Sequence, residues 1–91
     1  EFIILFGSIL KDEKFAKDID LLVVATKNKY DLINDLIIKK NKILNKKIHL
    51  IFQTLDDFKN DISKKNKTSI EIIKKGIVLF GQSNFVEGIK Q

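Results

Sequence analysis

Four short apolar runs alternate with segments of helical periodicity, and this alternation constrains the fold more than any other feature of the chain. The runs are "FIILF" at 2–6, "IDLLVVA" at 19–25, "KIHLIFQ" at 47–53 and "IVLF" at 77–80. Their length and their β-branched and aromatic content are typical of buried strands. Strands that alternate with helices predict a layered α/β (α+β) fold, in which helices pack on a small sheet.

The segments between the strands predict helices. Apolar residues recur at helical spacing from Tyr30 to Leu44, and Asn28 or Asp31 is expected to cap the start of that helix. A second helix is expected after Thr54, which acts as its N-cap with Asp57 at the third helical position.

The C-terminal third is expected to contain less regular structure. The lysine-rich stretch 58–67 predicts a flexible loop, and a helix follows from residue 68 or 69 to residue 75, where Gly76 ends it. A short helix is expected after Gly81.

Length and composition exclude several classes of protein. The 91 residues favour one domain over residues 1–91, with a truncated N-terminus because Glu1 rather than Met comes first. There is no cysteine for a disulfide or a thiolate metal site. No apolar run approaches the roughly 20 residues that span a bilayer. We therefore expect a cytoplasmic protein with no membrane partner.

The positive net charge does not by itself indicate a sequence-specific DNA-binding protein. The net charge is +5, which favours anionic partners, but all 17 basic residues are lysines scattered along the chain. Arginine, which reads guanine and clamps phosphate with two hydrogen bonds, is absent. Sequence-specific DNA binding is therefore not expected.

Two aspartates interrupt the start of the second apolar run. Asp18 and Asp20 alternate with apolar residues, so they share one face of a strand and lie roughly 7 Å apart. Ile19 and Leu21 are expected to point the other way, into the core. A divalent cation such as Mg²⁺ would relieve the repulsion between the carboxylates. The alternative is a strand edge at which both carboxylates face water.

A Gly-Ser pair ends the first apolar run. Gly7 allows backbone amides to approach a phosphate closely, and the Ser8 hydroxyl can add a donor. The alternative is that Gly7 makes a turn and Ser8 caps a helix.

Together, "LFGS" at 5–8 and "DIDLLVV" at 18–24 resemble the signature of the nucleotidyltransferase superfamily, which shares the fold of DNA polymerase beta. The chain is most similar to its minimal nucleotidyltransferases. The resemblance implies a small mixed β-sheet with helices packed on it. It also implies that Gly7 and Ser8 bind the phosphates of a nucleoside triphosphate, while Asp18 and Asp20 are catalytic and hold Mg²⁺.

The pattern departs from this family on the third strand. Active members usually carry a third carboxylate there, whereas this strand has His49 at the matching position and no Asp or Glu. Asp56 and Asp57 follow the strand and are interpreted as helix-start residues. His49 could serve as a catalytic base, or transfer could proceed with one well-held metal ion. Alternatively, the chain could bind a nucleotide without reaction, or bind only a protein partner. His49 could also be an ordinary half-buried residue of the strand.

The resemblance thus implies transfer of a nucleotidyl group, AMP from ATP, to a hydroxyl acceptor. It further implies a HEPN-type helical protein partner in a toxin–antitoxin pair, with this chain as the antitoxin. The alternative is a catalytically impaired binding module that acts through a protein partner. The many isoleucines also favour a homodimer that covers apolar surface.

Overall fold

One mixed sheet organises the computed structural model, which describes residues 1–89. Its strands are β1 (Phe2–Phe6), β2 (Asp18–Val24), β3 (Lys47–Gln53) and β4 (Ile77–Phe80). They lie in the order β3-β2-β1-β4. β1 is antiparallel to both β2 and β4, whereas β2 and β3 are parallel. The predicted strands are confirmed; only β2 differs, since it lies one residue earlier than expected.

Within the described part of the chain, four helices complete the fold, and 3-10 turns lie at Ser8–Leu10 and Lys27–Lys29. None of the helices within residues 1–89 combines the length and apolar character needed to cross a bilayer. The helices are α1 (Tyr30–Asn41), α2 (Leu55–Ser63), α3 (Lys67–Lys75) and α4 (Gln82–Ile89).

The expected flexible loop at 58–67 is wrong for most of its length, because α2 extends to Ser63 and α3 begins at Lys67. Phe58 and Ile62 lie one helical turn apart and pack with the core, which holds the segment in a helix despite its lysines. α3 begins one or two residues earlier than expected because the Asn66 side chain accepts a hydrogen bond from the Ser69 amide.

The helix caps agree with the sequence for α2 but not for α1. Thr54 caps α2 by accepting a hydrogen bond from the Asp57 amide at 3.2 Å, as predicted. Neither Asn28 nor Asp31 caps α1, because the 3-10 turn before it runs directly into the helix. α1 also ends before Leu44, at Asn41.

The core lies on one face of the sheet, against α2, α3 and α4. Phe2 is fully buried at its centre and makes edge-to-face contacts with Phe58 and Phe85, at centroid distances of 5.0 and 5.5 Å. The buried cluster consists of Phe2, Ile4, Leu22, Val24, Phe58 and Ile72.

The expectation that Ile19 and Leu21 point into this core is wrong. The core residues of β2 are Leu22 and Val24, which alternate with Leu21 and so share a face with Asp20. β2 carries apolar residues on both of its faces. α1 packs against the neighbouring strand, β3. The aspartates therefore lie on the same face as the core, beyond its edge.

Phe58→Ala is expected to lower the free energy of unfolding by about 3–5 kcal/mol, because it leaves a cavity among the packed rings. Phe15→Ala is the matched control, since its side chain is 80% exposed. Urea denaturation measures both. Equal losses from the two variants would contradict this description of the core.

Candidate functional site

Asp18 and Asp20 lie at the start of β2 on one face of the sheet. Asp18 is exposed, and within residues 1–89 no cation forms an ion pair with it. The side chain of Asp20 is 23% exposed. Two carboxylates with this spacing offer oxygen donors toward the same region of solvent.

The Gly-Ser turn lies directly against Asp20. The antiparallel register pairs Phe6 with Asp20, so the next residue, Gly7, comes beside the carboxylate. A Cβ atom on Gly7 would overlap Oδ2 of Asp20 and would lie 3.1 Å from its Cγ. Gly7 also has a φ of +89°, which side-chain-bearing residues rarely adopt. Only glycine allows this close approach of backbone and carboxylate.

Ser8 is exposed and is the first residue of the 3-10 turn, whose N-cap position is occupied by Gly7 rather than Ser8. The connector that follows is tied to the start of β3, where the Lys46 ammonium donates to the Ala16 carbonyl at 2.9 Å. The Lys47 amide donates to the Lys17 carbonyl at 3.3 Å. These two hydrogen bonds attach the connector, which lies between the Gly-Ser turn and β2, to the start of β3.

His49 lies beside Asp20 because the parallel register of β2 and β3 pairs the two residues. Its Nδ1 is 3.4 Å from Oδ1 of Asp20, and its side chain is 75% exposed. The two oxygens of Asp20 therefore face different neighbours, Oδ1 facing the imidazole and Oδ2 facing Gly7. His49 is not the half-buried strand residue considered from the sequence.

The position of His49 depends on the end of α1. The Asn41 side chain accepts a hydrogen bond from the Ile48 amide at 2.7 Å and donates one to the Ile48 carbonyl at 3.1 Å. β3 is an edge strand, so these bonds satisfy backbone groups on its open side. They fix the residue that precedes His49.

The other acidic pair lies elsewhere. Asp56 and Asp57 are in the first turn of α2, after the end of β3, as the sequence predicted. Gly7, Ser8, Asp18, Asp20 and His49 thus lie together at one end of the sheet, and the α2 pair lies at the other.

The carboxylate oxygens of the site suit Mg²⁺ only when a bound substrate supplies further ligands. Within residues 1–89 no group of three or more His, Cys, Asp or Glu side chains could hold a metal ion. Mg²⁺ is usually held by one or two carboxylates together with water and substrate phosphates, and it prefers oxygen to the imidazole nitrogen. Asp18 and Asp20 suit an ion that shares its ligands with a phosphate substrate.

A cavity of about 450 Å³ borders the turn, and no pattern in the sequence predicts it. It lies between the turn and α3, and its lining residues do not include Asp18, Asp20 or His49. The cavity forms because α3 packs on β1, and this tertiary contact is not apparent from the sequence. Its lining residues are Phe6, Gly7, Ser8, Leu10, Lys11, Thr68, Glu71, Ile72 and Lys75.

Comparison with known proteins identifies one family. A family model described as a nucleotidyltransferase domain matches residues 1–81, which include β1 to β4 and all of the residues gathered at the site. The search of curated proteins and the search of solved structures found no match.

Gly7→Ala is expected to lower the free energy of unfolding by about 1–3 kcal/mol, because it adds backbone strain and displaces the Asp20 carboxylate. Ser8→Ala, at the neighbouring exposed position, is the control and is expected to change stability by less than about 0.5 kcal/mol. In an Asp20→Ala background the cost of Gly7→Ala is expected to fall, since the carboxylate is gone. Urea denaturation of the wild type, the two single variants and the double variant measures the coupling between Gly7 and Asp20. Additive losses of stability would contradict the close approach of these two residues.

Proposed function

The chain belongs to the nucleotidyltransferase domain family, and we propose that it transfers AMP from ATP to a hydroxyl acceptor. Membership supports nucleotidyl transfer in general. One observation carries the more specific proposal: two carboxylates share one sheet face, and that of Asp20 lies against a glycine turn that admits no side chain. This arrangement combines donors for a cation with a backbone that a phosphate can approach.

In the proposed reaction Gly7 and Ser8 hold the phosphates, and Asp18 and Asp20 hold Mg²⁺. When bound, the ion would neutralise the charge that develops on the phosphates during transfer. Asp18 is exposed and free of ion pairs within the described part of the chain, so its carboxylate needs no rearrangement to act as a ligand.

His49 would act as the base. An oxygen of the acceptor attacks the α-phosphorus, the bond to the bridging oxygen breaks, and pyrophosphate leaves. The proton of the acceptor passes to the imidazole in its neutral form. Because Nδ1 faces Asp20, the proton would go to Nε2, while Asp20 favours the tautomer that carries hydrogen on Nδ1.

The resemblance of the sequence to minimal nucleotidyltransferases supports a helical HEPN-type partner, with this chain as antitoxin and a tyrosine of the partner as acceptor. The same resemblance is the basis for a cytoplasmic location. Exposed apolar side chains on β4, among them Ile77 at 51% and Phe80 at 62%, are consistent with a protein partner or a homodimer.

A second candidate function has a specific observation in its favour. β3 carries no carboxylate, and the position beside Asp20 is occupied by His49. Since imidazole is a poor ligand for Mg²⁺, the chain could bind a nucleotide without transferring it. It would then be a binding module that acts through a protein partner.

Asp18→Asn and Asp20→Asn are each expected to lower the rate of label transfer from [α-³²P]ATP to a candidate acceptor by at least about 100-fold, because each removes an anionic metal ligand. Asp35→Asn is the matched control, an exposed aspartate on α1, and is expected to keep the wild-type rate. Transfer that survives both site substitutions would overturn the proposed metal site.

His49→Ala separates the two candidate functions. If His49 is the base, the variant is expected to bind Mg·ATP as the wild type does but to transfer about 100-fold more slowly. Calorimetry measures binding, and the label assay measures transfer. Binding without transfer in the wild type would favour the module, and equal transfer by both proteins would exclude His49 as the base.

A further inference from the structure

The two most exposed large apolar side chains of residues 1–89 lie near the proposed site and have no role in it. Phe15 is 80% exposed in the connector before β2, and Ile43 is 77% exposed between α1 and β3. Leu44, beside Ile43, is also exposed. Exposed apolar residues that lie together and are surrounded by polar ones are typical of a protein-binding surface.

Two hydrogen bonds hold the segments of Phe15 and Ile43 together. The Lys46 ammonium donates to the carbonyl of Ala16, which follows Phe15 in the connector, at 2.9 Å. The Lys47 amide donates to the carbonyl of the next connector residue at 3.3 Å. The exposed apolar residues therefore belong to adjoining parts of the molecule.

These segments adjoin the reacting groups on the side of the proposed base. Lys47 pairs with Asp18 in the parallel register, and His49 lies two residues further along β3. A hydroxyl that is activated by His49 has to approach from this region. We call this region the Phe15 surface, which consists of Phe15, Lys17 and residues 42–47.

Positive charge predominates on and around the Phe15 surface. Residues 39–47 contain five lysines and no aspartate or glutamate. The connector, residues 8–17, adds three lysines and two acidic residues, Asp12 and Glu13. This balance favours a partner that presents carboxylates or phosphates.

The apolar residues favour a protein over a nucleic acid as that partner. Ile43 and Leu44 are aliphatic, so they lack the flat ring on which a base stacks. The chain also contains no arginine, the residue that binds phosphate with two hydrogen bonds. A protein segment can cover apolar side chains at the centre of an interface and pair carboxylates with lysines at its rim.

We propose that the Phe15 surface binds an acidic segment of the protein that carries the acceptor hydroxyl. An apolar side chain of that segment packs on Phe15 and Ile43, and its carboxylates face the surrounding lysines. Binding at this place holds the hydroxyl near His49, which favours its attack on the nucleotide. The inference rests on the proposed function for the role of the partner as acceptor, whereas the binding itself requires neither nucleotide nor metal.

The test measures binding of a random copolymer of glutamate and tyrosine by calorimetry, with EDTA present and without nucleotide. Phe15→Ala is expected to weaken binding about tenfold, because an apolar contact is lost. Leu32→Ala is the matched control, since it shortens an exposed apolar side chain in the first turn of α1. It is expected to change binding by less than about twofold.

Two double variants test the contribution of charge. Lys17→Gln with Lys42→Gln is expected to weaken binding about tenfold at low ionic strength, because two cations leave the Phe15 surface. Lys27→Gln with Lys29→Gln removes the same charge from exposed positions before α1 and is expected to weaken binding by less than about threefold. Equal losses from both pairs would overturn the inference, since binding would then follow net charge alone.

Poly(U) in the same assay separates an acidic protein from RNA. Ile43→Ala is expected to weaken binding of the copolymer but not of poly(U), because an aliphatic side chain does not stack on bases. Poly(U) that binds more tightly than the copolymer and requires Phe15 would overturn the inference and assign the surface to RNA.

Transfer assays separate this inference from the proposed function. If the copolymer accepts label from ATP, Phe15→Ala is expected to raise the KM for the copolymer about tenfold, with kcat and the KM for ATP unchanged. Binding that requires Phe15 without any transfer would count against the proposed function and for the surface. Copolymer binding that is indifferent to Phe15→Ala would count against the surface, whatever the transfer assay shows.

Discussion

The contact between the Asp20 carboxylate and the Gly7 backbone is the constraint on which the site depends. The pairing of Phe6 with Asp20 creates it, and that pairing continues through Ile4 with Leu22 to Phe2 with Val24, all core residues. A slip of one residue would turn the core side chains of a strand to the other face. Burial of the core therefore fixes the register, and the register brings carboxylate and turn together.

The parallel pairing of β2 with β3 extends this arrangement across the sheet. It requires a crossover, which α1 supplies, and the Asn41 side chain at the end of α1 bonds to the backbone just before His49. The imidazole, the carboxylates and the turn consequently follow one another along one end of the sheet.

The sequence predicted the strands well because short β-branched runs with polar boundaries leave few alternatives. It also predicted which residues gather at the site, since the Gly-Ser pair and the two aspartates flank paired strands. The predictions from the sequence were wrong where tertiary packing determines the local structure. Phe58 and Ile62 draw a lysine-rich stretch into α2, the core lies on the face of β2 that carries the aspartates, and the α3 cavity joins residues about 60 positions apart.

The most direct test of the metal site is NMR line broadening by Mn²⁺ in place of Mg²⁺, in the presence of a non-hydrolysable ATP analogue. The paramagnetic ion broadens the resonances of nearby amides. The amide signals of Gly7, Ser8 and Asp20 are expected to disappear, while that of Ala25, beyond the other end of β2, stays sharp. Broadening centred on Asp56 and Asp57, with Gly7 unaffected, would contradict it.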